Sequence, residues 1–507
     1  MSIYYSFVAV PAKNTEGLYE ISEKTTEPHI LIKTSGWHFL FKGQAVLPTD
    51  QVQYSAGSHD YFFIGELYNI AELRVLASIY SSDALTCTAP KLLHLLYHHL
   101  GRSAFSLVDG PFTFIKSSDK DLTLLNDSLG YLPVNIIFSN GPWITSELKM
   151  VAKSKAVAFN FLETKELINT QAQSDDFSPI KNAKKMKAGQ ETCIRLDGNN
   201  HFYVTSLNYC DLTLGNDQEV SAKEASKIVV SLVETSLQNC IQNESQVTIP
   251  LSGGIDSSFI AALTAQKVDT LNTYSIGSEE NNEFSFSKIV SEHLNTNHQE
   301  FILSNEEIMQ GIVESIYYNE IFDGLSAEIQ SGLFNMYRLD KGVSSAMITG
   351  YGADLIFGGV LDTTCPRDSI NQLLWDQIYR TRWTGEFSNF GALRYGVKIK
   401  HPFWNLKLIS YCLNLDPNLK IAKGEVKLFI REHIHNQQLL PEVITWRKKI
   451  GIHEGSSKNK IFANLIRVDS ANYQAKTQFS YDLYKQFLTG KLTPEEFNLA
   501  DHLKLSM

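Results

Sequence analysis

The sequence lacks several features that would assign it to a broad functional class. Among its 507 residues there is no run of 18 or more apolar side chains, which a membrane-spanning helix needs. The first residues lack the basic segment and apolar run of a signal peptide. No stripe of lysine and arginine is visible, and the formal net charge is −10. We therefore expect a cytoplasmic protein that binds neither membranes nor nucleic acid.

The chain also has few cysteines, and their spacing serves no shared site. The six cysteines are dispersed, and no C-x-x-C pair occurs among them. This dispersal argues against a disulfide framework and against the usual cysteine-based zinc sites. We expect reduced thiols and no catalytic zinc.

The most informative stretch is residues 246–262, with the sequence QVTIPLSGGIDSSFIAA. Its apolar, β-branched start predicts a buried strand, and a helical pattern begins near Asp256 after two glycines. Adjacent glycines let the backbone approach a ligand, and the helix start offers unpaired N–H groups to an anion. The loop therefore predicts a phosphate site, but not a Walker A loop, because no G-K-[ST] follows. Taken alone, it is also compatible with an ordinary strand–turn–helix capped by Asp or Ser.

A second glycine loop, TGYGAD, occupies residues 349–354. Glycines at its second and fourth positions again permit a close backbone approach. Asp354 would place a second carboxylate opposite Asp256, and few protein carboxylates bridging phosphate oxygens are typical of Mg²⁺–nucleotide sites. A glycine loop with a capping aspartate is the alternative.

The distribution of strand-like and helical patterns divides the chain into two parts. Short strand-like runs dominate residues 1–205 and predict an α/β sandwich of antiparallel sheets. After the first glycine loop, helices and strand-like runs alternate, which predicts a parallel sheet with ligands at the carboxyl ends of its strands. A polar segment at 211–218 marks the boundary. We expect domains at residues 1–210 and 211–507.

Local strings in both parts resemble one known family. The pattern SGGxDS at 252–257 is similar to the pyrophosphate-binding loop of N-type ATP pyrophosphatases, which cleave ATP to AMP and pyrophosphate. In the first part, GELYN, DGPF, DSLGYLP and TSELK follow in the order found in the glutaminase domain of class B asparagine synthetases. The resemblance implies an N-terminal Ntn-hydrolase-like α/β sandwich and a C-terminal doubly wound parallel-sheet domain, the ATP pyrophosphatase (adenine nucleotide α-hydrolase-like) fold.

The first domain departs from this family where glutaminase chemistry would occur. Position 2 carries Ser2, where a glutaminase of this class has cysteine as its mature N-terminal nucleophile. Ile64 replaces the asparagine that opens the NGEIYN string and is expected to donate to the oxyanion. Without these two groups we do not expect glutamine hydrolysis. We interpret the domain as a scaffold for the second one.

The second glycine loop indicates one branch of the family. Asparagine synthetases carry GEGSDE there, whereas β-lactam-forming synthetases carry GYGAD, as this chain does with Tyr351. A lactam synthetase must deprotonate an amine within its substrate, and a tyrosine coupled to a carboxylate can relay that proton. The resemblance makes Glu386 this carboxylate, although alone it could be a solvated charge. It makes Lys449 the ammonium that stabilises developing negative charge, with Lys448 less favoured.

Residues 314–337, 379–387 and 446–457 resemble the carbapenam synthetases in particular. The resemblance implies that ATP and Mg²⁺ are used to adenylate the side-chain carboxylate of a small amino diacid, (2S,5S)-5-carboxymethylproline. Ring closure would then give carbapenam-3-carboxylate, AMP and pyrophosphate, in carbapenem antibiotic biosynthesis. Asp256 and Asp354 would hold the metal. The residues expected to bind the nucleotide are Leu251, Ser252, Gly253, Gly254, Asp256, Ser257, Ser258, Ser275, Ile276 and Gly350.

Several alternatives stay open from the sequence. An ammonia-dependent asparagine synthetase, a β-lactam synthetase for an arginine-derived substrate and a peptide macrolactam cyclase would use the same adenylation. A degenerate binding or scaffold protein is the alternative from a different class. The segment 323–331 could line the substrate pocket through Ser326 and Glu328, or simply begin a helix with capping residues. We also expect a homo-oligomer.

Overall fold

A computed structural model of the chain describes residues 4–139, 141–152, 157–163, 177–197, 201–215, 220–242, 244–448 and 455–505. The strands of these regions are β1 (Tyr4–Pro11), β2 (His29–Lys33), β3 (Trp37–Gly43), β4 (Gln53–Ala56), β5 (His59–Gly65), β6 (Phe112–Ser117), β7 (Asp121–Asn126), β8 (Asn135–Phe138), β9 (Pro142–Thr145), β10 (Ala183–Lys185), β11 (Gln190–Leu196), β12 (Phe202–Asn208), β13 (Gln246–Pro250), β14 (Thr270–Ser278), β15 (Asn297–Leu303), β16 (Ala346–Ile348), β17 (Ile399–Lys400), β18 (Ile421–Ala422) and β19 (Glu425–Val426).

Helices cover the faces of the sheets that these strands form. The α-helices span Glu16–Lys24, Ile70–Ser78, Ala89–Leu100, Leu148–Ala152, Ala222–Ile241, Ile255–Ala265, Phe284–Leu294, Asn305–Tyr318, Gly324–Asp340, Ala353–Phe357, Arg367–Thr384, Phe390–Arg394, Leu406–Leu413, Pro417–Lys420, Leu428–Asn436, Glu442–Thr445, Lys458–Leu465, Tyr473–Leu488 and Leu499–Leu505. Short 3₁₀ helices span Thr49–Gln51, Ser82–Leu85, Gly101–Leu107 and Pro494–Glu496. None of the described helices is long and apolar enough to cross a bilayer.

Two antiparallel sheets form the first part of the molecule. Their strand orders are β10-β8-β9-β1-β3-β2 and β12-β11-β7-β6-β5-β4. Aromatic side chains from both sheets interlock between them, with the ring centroids of Phe39 and Phe62 only 4.4 Å apart. Helix Ala89–Leu100 packs its apolar face, through Leu92 and Leu96, on the outer side of the second sheet. The predicted α/β sandwich of antiparallel sheets is therefore confirmed.

Ile64 belongs to the core between these two sheets. It lies in β5, opposite Thr113 of β6, and is 1% exposed. Its side chain fills space where the family motif has an amide, so this position offers no side-chain donor. Ser2 lies outside the described residues, and the loss of glutaminase activity stays a prediction.

A parallel sheet of order β15-β14-β13-β16-β17 forms the centre of the second part. The chain runs outward from β13 to β15 and then returns to β16 on the other side of β13. This reversal creates a crevice between the carboxyl ends of β13 and β16, the usual ligand position in such sheets. The predicted doubly wound sheet is confirmed, and its crevice is where both glycine loops emerge.

The two parts contact each other close to this crevice. Trp404 donates from Nε1 to the carbonyl of Leu129 at 3.1 Å, and Tyr131 donates to the carbonyl of Trp404 at 2.7 Å. The Trp404 ring stacks on Phe387 at 4.0 Å. These buried contacts join the strand-rich part to the segment that carries Glu386. The domain boundary at residue 210 stays a prediction.

Candidate active site

A cavity of about 600 Å³ opens at the carboxyl ends of β13 and β16. Both glycine loops line it, and Glu386, Lys427 and Arg447 complete its wall; we call it the central cavity. Its volume is in the range of small-molecule sites, and its wall mixes apolar surface with charges of both signs. It collects most of the side chains that the sequence singled out.

The glycines of the two loops are required by close packing. Gly253 has a φ of +68°, and a Cβ on it would lie 2.5 Å from Cβ of Phe286. A Cβ on Gly350 would lie 2.7 Å from the backbone nitrogen of Ser257, so the two loops touch through their backbones. Helix Ile255–Ala265 begins after Gly254 without a side-chain cap. Its first N–H groups are therefore open to an anion, and Asp256 is not needed as a cap.

Asp256 and Asp354 meet at one buried cation, the ammonium of Lys427. Its Nζ lies 2.7 and 2.6 Å from the two oxygens of Asp256 and also donates to Oδ1 of Asp354. Lys427 is 1% exposed, whereas the carboxylates are a quarter to a third exposed. Burial alone would lower the pKa of Lys427, but the two carboxylates outweigh it and raise this pKa above its usual value. The pair is thus built to hold a cation.

Sequence reasoning missed Lys427 because no local motif marks it. Its partners are 171 and 73 residues away in sequence, and it sits in an ordinary mixed-charge segment. Lys427 adopts a left-handed backbone conformation, with φ of 62°, where the two-stranded ribbon β18–β19 turns into helix Leu428–Asn436. Only the folded topology brings this position under both glycine loops.

Tyr351 and Glu386 are hydrogen-bonded in the same cavity. The Tyr351 hydroxyl donates to Oε2 of Glu386, while Ser326 and Thr384 lie 2.7 and 3.0 Å from Oε1. Glu386 is 9% exposed, and the Tyr351 ring packs against Phe387 at 4.8 Å. Burial and then the Glu386 carboxylate raise the pKa of Tyr351 well above 10. The phenol therefore keeps its proton unless Glu386 accepts it.

The third predicted element can be followed only up to Lys448, which lines the central cavity. Lys449 lies outside the described residues, so its role stays a prediction. Arg447 immediately precedes Lys448. It donates to the carbonyl of Ser252 at 3.1 Å and forms an ion pair with Glu283. Its guanidinium also lies 3.7 Å from the ring centroid of Phe286. Arg447 thus anchors this segment against the phosphate loop.

The remaining predicted nucleotide residues lie beside the first loop. A small cavity of about 20 Å³ is lined by Leu251, Ser252, Ser275 and Ile276, and the Ser275 hydroxyl donates to the carbonyl of Leu251. The ends of β13 and β14 are thereby tied together at the edge of the crevice. Ser258 does not lie at the surface of this small cavity. It is fully buried inside helix Ile255–Ala265, and its amide donates to the carbonyl of Gly254 within the helix.

The segment 323–331 begins a helix, with Asp323 as its N-cap. Asp323 accepts a 2.9 Å hydrogen bond from the amide of Ser326. Glu328 forms an ion pair with Lys476, and both side chains are fully buried. The capping alternative is thus the one observed, and Glu328 is committed to this ion pair. Leu325 and Ile329 of this segment line the central cavity instead.

Comparison with known proteins agrees with this geometry. Residues 229–390 and 391–493, more than half of the chain, match the family model described as asparagine synthase. Residues 38–209 match the model described as carbapenam-3-carboxylate synthase, N-terminal. The chain therefore belongs to the asparagine synthase family. The second match agrees with the branch that Tyr351 indicated.

Curated relatives extend over most of the chain. Carboxyethyl-arginine beta-lactam-synthase from Streptomyces clavuligerus is 26% identical over 451 residues, covering 86% of this chain and 82% of its own length. Asparagine synthetase [glutamine-hydrolyzing] from Homo sapiens is 24% identical over 427 residues, with 78% and 72% covered. The solved NMN synthetase from Francisella tularensis aligns with 54% of this chain and 98% of its own, at 15% identity and a TM-score of 0.28.

Membership of this family confirms the predicted enzyme class. The chain is an ATP-dependent ligase related to asparagine and β-lactam synthetases.

Proposed function

We propose that this enzyme closes a β-lactam ring. It would adenylate the side-chain carboxylate of (2S,5S)-5-carboxymethylproline, displace AMP with the ring nitrogen of the same molecule, and form carbapenam-3-carboxylate. The observation that carries the proposal is the hydrogen bond between Tyr351 and Glu386 in the cavity that also holds the phosphate loop. A synthetase that received free ammonia would not need this pair to deprotonate its nucleophile.

The donor set around Lys427 fits Mg²⁺. Asp256 and Asp354 supply carboxylate oxygens, the ligands that a hard cation prefers, and they already converge on a single positive charge. Across the described residues, no group of three or more His, Cys, Asp or Glu forms a closed metal site. A site with few protein ligands suits Mg²⁺, which would be held by Asp256 and Asp354 and would neutralise negative charge on the phosphates of ATP.

In the first step, the phosphate loop orients ATP and the substrate carboxylate attacks the α-phosphorus. One P–O bond forms to the carboxylate oxygen, and the bond to the β-phosphate oxygen breaks, giving an acyl-adenylate and pyrophosphate. Lys427 lines the cavity beside the phosphate loop, where its ammonium can pair with phosphate oxygens as well as with Asp256 and Asp354. The amides at the start of helix Ile255–Ala265 add further donors to the phosphates.

In the second step, the ring nitrogen attacks the activated carbonyl. Tyr351 takes the nitrogen's proton as its own proton passes to Glu386, so neither group has to exist as a free phenolate. Lys449 would stabilise the oxyanion, after which the C–O bond to AMP breaks. Both reacting atoms belong to one molecule, which replaces a second-substrate encounter by an oriented unimolecular step.

The remaining carboxylate of the substrate needs a cationic partner. Arg380 is exposed and lines the central cavity together with Gln377 and Thr381, on the last turns of helix Arg367–Thr384. A guanidinium can bind a carboxylate through two parallel hydrogen bonds. We assign Arg380 to the carboxylate that is not activated, which supports an amino diacid as substrate.

The substrate assignment is tested by offering the enzyme three acids with Mg²⁺ and ATP. We expect 5-carboxymethylproline to give one pyrophosphate and one AMP per dehydrated bicyclic product, measured by coupled phosphate assay and mass spectrometry. Carboxyethyl-arginine, and aspartate with ammonium, should give rates at least about 100-fold lower, because a missing specific contact costs roughly that much in kcat/KM. Efficient turnover of either rival acid would move the assignment to that acid.

A further inference from the structure

A second, smaller cavity lies behind Glu386, between the strand-rich part and the helices of the second part. Its volume is about 60 Å³, and its wall includes Gly130 and Lys185 on one side and Asp323, Arg382 and Thr384 on the other. We call it the rear cavity. Its wall is mostly apolar but carries the charged groups of Lys185, Asp323 and Arg382, and it is large enough for more than one water molecule.

One serine hydroxyl connects the central cavity to the rear cavity. Oγ of Ser326 lies 2.7 Å from Oε1 of Glu386 and 2.6 Å from Oδ2 of Asp323. Glu386 lines the central cavity, Asp323 lines the rear cavity, and Ser326 between them is 1% exposed. Exchangeable groups therefore run without a gap from Tyr351 to the rear cavity.

The number of protons shared by Glu386, Ser326 and Asp323 decides how these groups can be hydrogen-bonded. A hydroxyl has one proton, so Ser326 can donate to only one of the two carboxyl groups at a time. At 2.6 and 2.7 Å both contacts are hydrogen bonds, and both are satisfied when one carboxyl group carries a proton. With the proton on Glu386, the bonds point toward Asp323; with it on Asp323, they point toward Glu386. These two arrangements are the initial and final states of one proton transfer between Glu386 and Asp323.

We propose that Asp323 and Ser326 carry the proton released by ring closure from Glu386 to the rear cavity. This inference rests on the proposed function and adds an exit route to it. Tyr351 delivers the proton to Oε2 of Glu386, and rotation of the carboxyl group then places it beside Ser326, where Oε1 now lies. Glu386 gives this proton to the Ser326 hydroxyl while the hydroxyl's own proton passes to Oδ2 of Asp323, which releases it to water. No bond other than O–H bonds changes, and Glu386 is again ionised for the next turnover.

A proton route on this side of Glu386 lets the base be regenerated while the central cavity is closed to water. The acyl-adenylate must be kept from water, so the central cavity has to be closed when Glu386 becomes protonated. An exit on the opposite side of Glu386 resets the base without opening the central cavity. Asp323 and Ser326 touch neither substrate nor nucleotide in this account; they act through Glu386.

The test replaces Asp323 by asparagine. Asparagine also caps helices, so Asp323→Asn keeps the hydrogen bond to the amide of Ser326 and removes only the proton acceptor. We expect unchanged ATP–pyrophosphate exchange and unchanged KM, with kcat for lactam formation about 10- to 100-fold lower. Added imidazole should restore kcat in a saturable manner, because a diffusible base can replace an internal proton acceptor. A merely structural role would give no such rescue.

Two serine variants of the same helix provide a matched comparison. Ser326→Ala removes the bridging hydroxyl and should slow lactam formation without affecting exchange. Ser331→Ala removes an equally buried hydroxyl that donates to the carbonyl of Glu328 at 2.7 Å, and should leave kcat unchanged. Wild-type kcat in Asp323→Asn, or a loss that imidazole does not relieve, would overturn the relay. If the wild-type enzyme makes no lactam at all, it is the proposed function that fails.

Discussion

Replacing Tyr351 by phenylalanine should separate the two halves of the reaction. We expect Tyr351→Phe to keep ATP–pyrophosphate exchange within about threefold of wild type and to lower lactam formation by roughly 10²- to 10⁴-fold, the usual contribution of a positioned acid–base group. The ring would still pack on Phe387, so only the hydroxyl that donates to Glu386 is lost. Rapid-quench measurement of acyl-adenylate and product would show the intermediate accumulating.

Tyr131→Phe is the control for this substitution. Tyr131 is a buried tyrosine of the same aromatic cluster, 6.4 Å from Phe387 between ring centroids, and its hydroxyl donates to a backbone carbonyl. Its loss should lower the free energy of unfolding by about 1 kcal/mol and leave ring closure unchanged. Parallel loss of exchange and closure in Tyr351→Phe would contradict a role confined to proton transfer.

Replacing Lys427 by methionine should disable the first half-reaction. We expect Lys427→Met to lower exchange and lactam formation together by 100-fold or more, since losing one fixed donor to developing charge costs about 3 to 4 kcal/mol. The variant should also respond more strongly to Mg²⁺ in the absence of nucleotide. Without the ammonium, Asp256 and Asp354 repel each other, so a divalent cation should raise its Tm more than that of wild type.

Lys420→Met serves as the matched control for Lys427. Lys420 is equally buried, and its ammonium contacts the amide oxygen of Asn371. Its replacement should destabilise the fold without creating a Mg²⁺-dependent rise in Tm. If Lys427→Met gained no additional stabilisation from Mg²⁺, Asp256 and Asp354 would not be the metal ligands.

The sequence predicted those parts of the site that depend on short-range sequence patterns. The buried β-branched run and the glycines at 253 and 254 predicted β13, its turn and its phosphate loop, because strand period and glycine conformation are short-range properties. The alternation of helices and strands predicted the parallel sheet. The strings shared with a known family added Tyr351 and Glu386, whose contact only the fold could establish.

The parts that could not be predicted are contacts between distant charges. Lys427 pairs with Asp256 across 171 residues, and Lys476 pairs with Glu328 across 148 residues. Each of these lysines lies in a sequence that would suit a solvated surface. Ser326 was visible as part of a helix start, but its second contact, to Glu386, spans 60 residues. The topology of the fold determines which distant charges pair, and no short-range sequence pattern predicts these pairs.

Oxygen isotopes can show whether adenylation is followed by intramolecular closure. 5-Carboxymethylproline labelled with ¹⁸O at both oxygens of its side-chain carboxylate would be converted with unlabelled ATP, and the products analysed by mass spectrometry. One ¹⁸O should appear in AMP and the other in the lactam carbonyl, because one carboxylate oxygen leaves with the α-phosphate. AMP free of label, with ¹⁸O recovered in a phosphate of ADP or in free phosphate, would rule out adenylation of the substrate.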